Sequence, residues 1–295
     1  ITSFAREAIT SIIRQLEADG NQVVYSDTDS VFVLSPVPSI DGARAFGEQV
    51  SKRFTESGVQ FEFQSVYEAL FSHGAKKRYV GRTVWPKEEL VVRGYETRRT
   101  DAFDYQSESL LEVFDLVLRG DTQAAVERAR ELVRRLKRGE VPVERLVIAR
   151  SVRAEEEYNE STRDGLPFLR VFKQLKEEGY DVIPGMKVAW IVTDARQSPQ
   201  SVEPWIEGRP FPKGKEPDFA YYAERVAQTL ARVTEVFGWD ADRLLDAGHQ
   251  HKLPGSTDGG PPDSGGAAAA PAPATLETPV ASVSSPKRRS TQKQL

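Results

Sequence analysis

The sequence predicts an α+β fold for residues 1–95, then a mainly helical domain, then a tail without a core. Three observations lead there. Helix-like and strand-like runs alternate through the first part without the spacing of repeated βαβ units. From Asp101 the apolar residues recur at helical intervals. After Leu253 the composition collapses to Pro, Gly, Ala, Ser and Thr, which cannot bury enough apolar surface to offset ordering entropy.

Taken in order, Ala5, Ala8, Ile9, Ile12, Ile13 and Leu16 predict a helix that stops at Gly20. Val23 to Val33 reads as a β-hairpin: Val and aromatic residues alternate on both sides of Ser26-Asp27-Thr28-Asp29-Ser30. Asp41 is expected to cap a second helix whose apolar side is Ala45, Phe46, Val50 and Phe54, ended by Gly58. Val59, Phe61 and Phe63 alternate as a strand, and Tyr79–Val84 and Leu90–Val92 are further short strands. Leu110, Leu111, Phe114, Leu116 and Leu118 mark a helix. Thr122–Arg138 is a second, strongly charged one that stops at Gly139. Phe168, Leu169, Phe172 and Leu175 mark a third, and Val188–Val192 is a strand. Glu216-Pro217-Asp218 opens a long helix carrying Phe219, Tyr222, Val226, Leu230, Val233 and Phe237. There is no internal repeat.

Bulk properties narrow the function. With 295 residues, 39% hydrophobic and 28% charged, the chain has material for one large or two smaller soluble domains. No run approaches a membrane span and no signal-peptide pattern opens the chain. The absence of Cys excludes disulfides and thiolate metal sites. The net charge of −4 speaks against a surface wholly coated by nucleic acid. The chain begins with Ile1 and has Met186 as its only Met, so a piece of a longer or processed product is expected. His73, His249 and His251 are scattered and suggest no zinc site.

Two constellations carry chemistry. The hairpin presents Asp27 and Asp29 at a short turn, and a hard divalent cation such as Mg²⁺ takes oxygen ligands, usually one or two carboxylates plus substrate phosphates. Taken alone, Asp-Thr-Asp also reads as an ordinary turn. Lys76-Lys77-Arg78-Tyr79 precedes a strand. Three cations there are either a solvated strand end or a phosphate clamp backed by an aromatic ring. Between the two lies Phe61-Glu62-Phe63-Gln64, with Glu62 either facing solvent or joining an acidic cluster. From Asp121 to Arg153 there are nine basic and five acidic residues, a mixed face that is commonly just solvated.

Together these segments resemble archaeal-type family B (alpha-like) DNA polymerases. Tyr25-Ser26-Asp27-Thr28-Asp29-Ser30 resembles the catalytic Tyr-Gly-Asp-Thr-Asp-Ser hairpin of the palm, with Ser26 where Gly is usual. Lys76-Lys77-Arg78-Tyr79 matches the family's primer-holding motif intact. Phe61-Glu62-Phe63-Gln64 resembles its acidic strand, with Gln64 in place of the second acid. Val141–Arg150, Val92–Glu96 with Thr100–Phe103, and Gly179–Val188 resemble its thumb. The resemblance covers nearly all of 1–253, but the first palm motif, the fingers and the exonuclease have no counterpart here.

It implies the following expectations. Residues 1–95 are the C-terminal half of the palm, a partial antiparallel sheet with the catalytic hairpin; 96–253 are the thumb; 254–295 are a disordered tail. The reaction is template-directed nucleotidyl transfer to a primer 3′-OH from a dNTP, with two Mg²⁺ ions shared with the missing palm half. Asp29 is the main ligand, Asp27 its neighbour, and Glu62 a further acid nearby. Lys76, Lys77, Arg78 and Tyr79 position primer–template DNA. The partner is the N-terminal polymerase half, without which the fragment has little or no activity. Gln292-Lys293-Gln294-Leu295 carries half of a sliding-clamp peptide. The location is cytoplasmic and nucleoid-associated. The competing expectation is a non-catalytic module that binds duplex DNA through the thumb.

Overall fold

A computed structural model describes residues 2–56, 58, 60–72, 77–95, 101–246 and 280–284. They fall into two compact units, one built chiefly from the first 95 residues and one from the residues after Glu96.

The first unit carries a six-stranded antiparallel sheet whose strands lie in the spatial order β1 (Val23–Asp27), β2 (Ser30–Leu34), β9 (Val280–Ser284), β3 (Glu62–Phe71), β4 (Tyr79–Trp85) and β5 (Glu89–Arg93). Helix α1 (Thr2–Ala18) leads into strands β1 and β2. Then follow α2 (Ile40–Glu56), β3, β4 and β5. Alternation along β2 sends successive side chains to opposite faces, and both faces are covered. Val31 and Val33 meet Ile12 and Leu16 of α1 and Val50 and Phe54 of α2. Phe32 meets Tyr67, Tyr25 and Tyr79 on the other face. Of the predicted helical stripes, Ile12, Leu16, Val50 and Phe54 are buried, whereas Ala45 is exposed and Ala43 and Gly47 are buried in α2 instead.

Several expectations need correction. Helix α2 begins at Ile40, and Ser39 Oγ accepts the Gly42 N–H at 3.1 Å, so Ser39 takes the capping role expected of Asp41. Asp41 lies in the first turn, where its charge complements the helix dipole. Strand β3 runs on to Phe71, well past Phe63. Its register against β4 shifts between Val66 and Tyr67 and again between Tyr67 and Ala69. Such bulges break strict alternation, which hid the strand's second half in the sequence. Val59 lies outside the described residues. Strand β9 (Val280–Ser284) falls inside the segment expected to be a tail, and for these five residues that expectation fails. Two β-branched residues here stand in a stretch free of Gly, bracketed by Pro279 and Pro286.

The second unit centres on α3 (Asp104–Leu118), α4 (Thr122–Lys137) and α7 (Phe219–Thr234). Their buried faces include Phe114, Leu132, Leu136, Tyr222, Val226 and Leu230. Asp121 caps α4 by accepting the Ala124 N–H at 2.9 Å. Asp218 caps α7 and also accepts the Ala195 N–H. A three-stranded sheet, β6 (Ile148–Ser151), β7 (Lys187–Asp194) and β8 (Ser201–Pro204), is backed by α6 (Pro167–Glu177). The short helices α5 (Glu160–Arg163) and α8 (Ala241–Leu245) complete it. The Val192 N–H donates to the buried Tyr222 hydroxyl at 2.9 Å and joins sheet to helix. Burial pushes that phenol above its ordinary pKa.

Candidate active site

The hairpin closes with Asp27 opposite Ser30, leaving Thr28 and Asp29 as a two-residue turn. Asp27 is half-buried. Its Oδ1 accepts the Thr28 N–H at 2.7 Å and the Thr28 hydroxyl at 3.2 Å, which leaves Oδ2 for another partner. Asp29 is exposed, and no residue among those described holds it. Both carboxylates therefore sit at the end of a stiff ribbon with oxygen to offer. No group of three or more His, Cys, Asp or Glu that could hold a metal ion is found among the described residues. The pair nonetheless suits Mg²⁺, which takes one or two carboxylates and leaves its other positions to water and phosphate.

Glu62, exposed at the start of β3, shares a row with the hairpin end: Ser284 of β9 pairs with Ser30 on one side and Glu62 on the other. Two strand spacings place its backbone about 10 Å from that of Ser30. Glu62 is thus on the same edge as the carboxylates but one strand removed. Gln64 is also exposed.

Lys77, Arg78 and Tyr79 lead from the β3–β4 connection into β4; Lys76 lies outside the described residues. The Tyr25 ring packs against Tyr79, so the strand that leads into Asp27 lies beside the one that the cationic segment enters. The Tyr25 ring lies 5.3 Å from that of Tyr79 and 5.4 Å from Phe32. Phe32 is in turn 5.1 Å from Tyr79 and 5.5 Å from Tyr67. Arg93 stands directly opposite Tyr79 in the neighbouring strand. Burial pushes the Tyr25, Tyr67 and Tyr79 phenols above their ordinary range, keeping them neutral donors at physiological pH. Tyr79 is therefore a half-buried support for Lys77 and Arg78.

Two glycines make these approaches possible. A Cβ on Gly81 would stand 2.5 Å from the Tyr67 ring. Gly94 has φ +71°, and a Cβ there would stand 2.1 Å from the Lys77 carbonyl oxygen. Lys77 itself has φ 64°, an uncommon backbone state for a non-Gly residue. Gly94→Ala should accordingly cost at least ~2 kcal/mol, from left-handed strain plus a collision with backbone that cannot swing aside. Gly20→Ala is the control, because Gly20 has φ +83° but open space around it. Urea unfolding of the two variants should place Gly94→Ala clearly below Gly20→Ala; equal midpoints would mean the Lys77 contact contributes nothing.

Sequence reasoning missed Tyr25 and Arg93 as parts of the site. The two-residue turn held the signal for the first, since it sets Tyr25 opposite Phe32. Val92 and Arg93 had been grouped with the thumb. They lie instead in β5, with Arg93 paired to Tyr79, because β4 and β5 form one hairpin in the first unit. In the second unit, the Val141–Arg150 and Gly179–Val188 segments meet as neighbouring strands, with Arg150 opposite Val188 and Ser151 opposite Lys187. Arg150, Arg153 and Lys187 line a cleft beside Tyr158. The Arg150 guanidinium stacks 4.6 Å from the Phe168 ring centroid.

Comparison with known proteins places these features in a wider group. Residues 3–237 match the profile of DNA polymerase family B. DNA polymerase 2 of Aeropyrum pernix is 29% identical over 257 residues, covering 86% of this chain and 30% of that protein. A DNA polymerase of Pyrococcus horikoshii is also 29% identical over 257 residues, covering 83% of this chain and 20% of its own length. Among solved structures, the family B DNA polymerase from Pyrobaculum calidifontis superposes with a TM-score of 0.57 and 26% identity, over 80% of this chain and 29% of that one. The chain thus spans less than a third of each of these relatives. No helix among the described residues is long and apolar enough to cross a membrane.

Proposed function

The chain belongs to DNA polymerase family B, and from that premise we propose that it supplies the hairpin half of a polymerase palm, with a thumb, to an enzyme completed by an N-terminal half. The observation that carries this reading is the packing of Tyr25 against Tyr79, which sets the strand bearing two metal-suited carboxylates beside the strand that the cationic segment enters.

In this reading Asp29, with Asp27 beside it, holds Mg²⁺. When bound, two such ions supply electrostatic stabilisation of the primer 3′-oxygen and the departing pyrophosphate. Lys76, Lys77 and Arg78 bind backbone phosphates near the primer end, and Tyr79 fixes their orientation. Glu62 adds negative potential along the same sheet edge. In the second unit, Arg150, Arg153 and Lys187 bind phosphates of the duplex without reading its sequence. Primer–template DNA and a dNTP are the substrates, the setting is cytoplasmic and nucleoid-associated, and the reading leaves the sliding clamp as a further partner. Gln292–Leu295, on which the clamp depends, lies outside the described residues.

The test is primer extension in Mg²⁺ by this chain mixed with the polypeptide that covers the unmatched part of the Aeropyrum pernix relative. Extension by the mixture and not by either part supports the reading. DNA binding with no extension would favour a non-catalytic duplex-binding module. A separate expectation concerns the cations. Replacing Lys76 and Lys77 together by Ala should weaken primer–template binding and flatten its log–log salt dependence by up to ~0.9 per lost phosphate contact. Fluorescence anisotropy across a salt series reads this, and an unchanged slope would return both residues to the role of solvated strand end.

A further inference from the structure

Strand β9 occupies an unusual place. It pairs antiparallel with β2 on one side and with β3 on the other, so β2 and β3 run parallel to each other one strand apart. The space between them passes through the core: Val31, Phe32 and Val33 on one flank and Val66 and Tyr67 on the other are all buried. Left empty, it would set two rows of unpaired backbone N–H and C=O groups in an apolar interior. The sheet therefore requires a strand here.

The strand that fills it is not part of the family's shared chain. The family match ends at residue 237, and β9 begins at Val280. It is five residues long and follows a Pro-, Gly- and Ala-rich stretch, residues 247–279. Relatives of which this chain spans less than a third have ample further chain to supply a strand at this point.

We propose that the space between β2 and β3 is a strand-acceptor site for the rest of the polymerase, and that β9 is its displaceable resident. This rests on the two-part reading above. The incoming segment is an extended strand, antiparallel to both neighbours, held by main-chain hydrogen bonds as in other strand-addition complexes. Its residue at the place of Ser284 stands between Ser30 and Glu62, at the carboxylate edge. The tether keeps β9 at high local concentration, so the sheet is closed while the chain is alone. A partner strand must then compete with it, and the full chain binds more weakly than a chain without β9.

The absence of Cys allows a direct test. Leu34 and Val280 are cross-strand partners at the end of the sheet away from the hairpin turn. Leu34→Cys with Val280→Cys should lock β9 in place on oxidation and release it on reduction. The first probe is a fluorescein-labelled synthetic peptide with the sequence of residues 278–285. The reduced chain should take it up and the oxidised chain should not. A chain lacking 271–295 should bind it about tenfold more tightly than the reduced chain, as expected when the resident fills the site roughly nine-tenths of the time. Equal uptake by locked and unlocked chains, or no uptake by either, overturns the proposal whether or not the shortened chain folds. The second readout is primer extension with the Aeropyrum pernix polypeptide. Extension only under reducing conditions supports the site. Equal extension in both states overturns it while leaving the polymerase reading intact. If the peptide exchanges as expected but no extension appears in any state, the polymerase reading falls and takes with it the identity of the incoming strand, while the exchange of β9 stands.

Discussion

Asp29→Asn should abolish nucleotide addition in the reconstituted enzyme while leaving the hairpin folded. Asn keeps the size and turn-forming habit of Asp, and Asp29 is exposed with no partner among the described residues, so little stability depends on its charge. On the proposed reading, what is removed is a ligand to the cation. A loss of ~4 kcal/mol of transition-state stabilisation corresponds to about a thousandfold in rate. The measurement is single-turnover primer extension at saturating Mg²⁺, alongside thermal unfolding to show that the fold is retained. Asp27→Asn should be milder, since one Asp27 oxygen is already engaged by Thr28. A rate within a few-fold of the parent for Asp29→Asn would remove it from the metal site.

The hairpin was legible because its signal is local. Alternating Val and aromatic residues on either side of a compact acidic turn contain both the strands and their register. Helices α1, α2 and α7 were legible for the same reason, through apolar residues at helical spacing that the core largely buries, although Ala45 of α2 is exposed; α4 was legible from its charged run ended at Gly139. What the sequence concealed depends on contacts between distant segments. Arg93 joins the site only because β5 pairs with β4, and nothing local to Val92-Arg93-Gly94 announces that pairing. The second half of β3 was hidden by its bulges. Strand β9 was hidden by composition: Val-Ala-Ser-Val-Ser is ordinary among Pro and Ala until a sheet with a vacancy is known.

Phe32→Ala should be the most destabilising single change in the first unit. The ring is 1% exposed and packs against Tyr25, Tyr67 and Tyr79. Truncating a buried Phe costs about 3–5 kcal/mol, from lost transfer energy and the cavity left behind. In a unit of this size that corresponds to a melting temperature lower by at least about 12 °C. Phe32→Leu retains most of the volume and should cost less than about half as much. The effect should extend to function, because Tyr25 and Tyr79 both lose their edge-to-face neighbour, and with it the fixed packing beside Lys77 and Arg78. Calorimetric melting of both variants checks the first part, and primer–template affinity of the Leu variant checks the second. A Phe32→Ala chain that melts with the parent would mean the rings are only neighbours.

The aromatic cluster also sets the mechanical tolerance of the site. Asp27 and Asp29 are two and four residues beyond Tyr25, and Lys77 and Arg78 run into Tyr79, whose ring packs against that same tyrosine. The acidic tip and the cationic segment thus share one foundation, as two instruments bolted to a single optical bench. Vibration of the bench moves both together and leaves the distance between them unchanged. On the proposed reading, alignment of a primer end with the carboxylates then depends less on the stiffness of either loop than on the clearance among four interlocked rings.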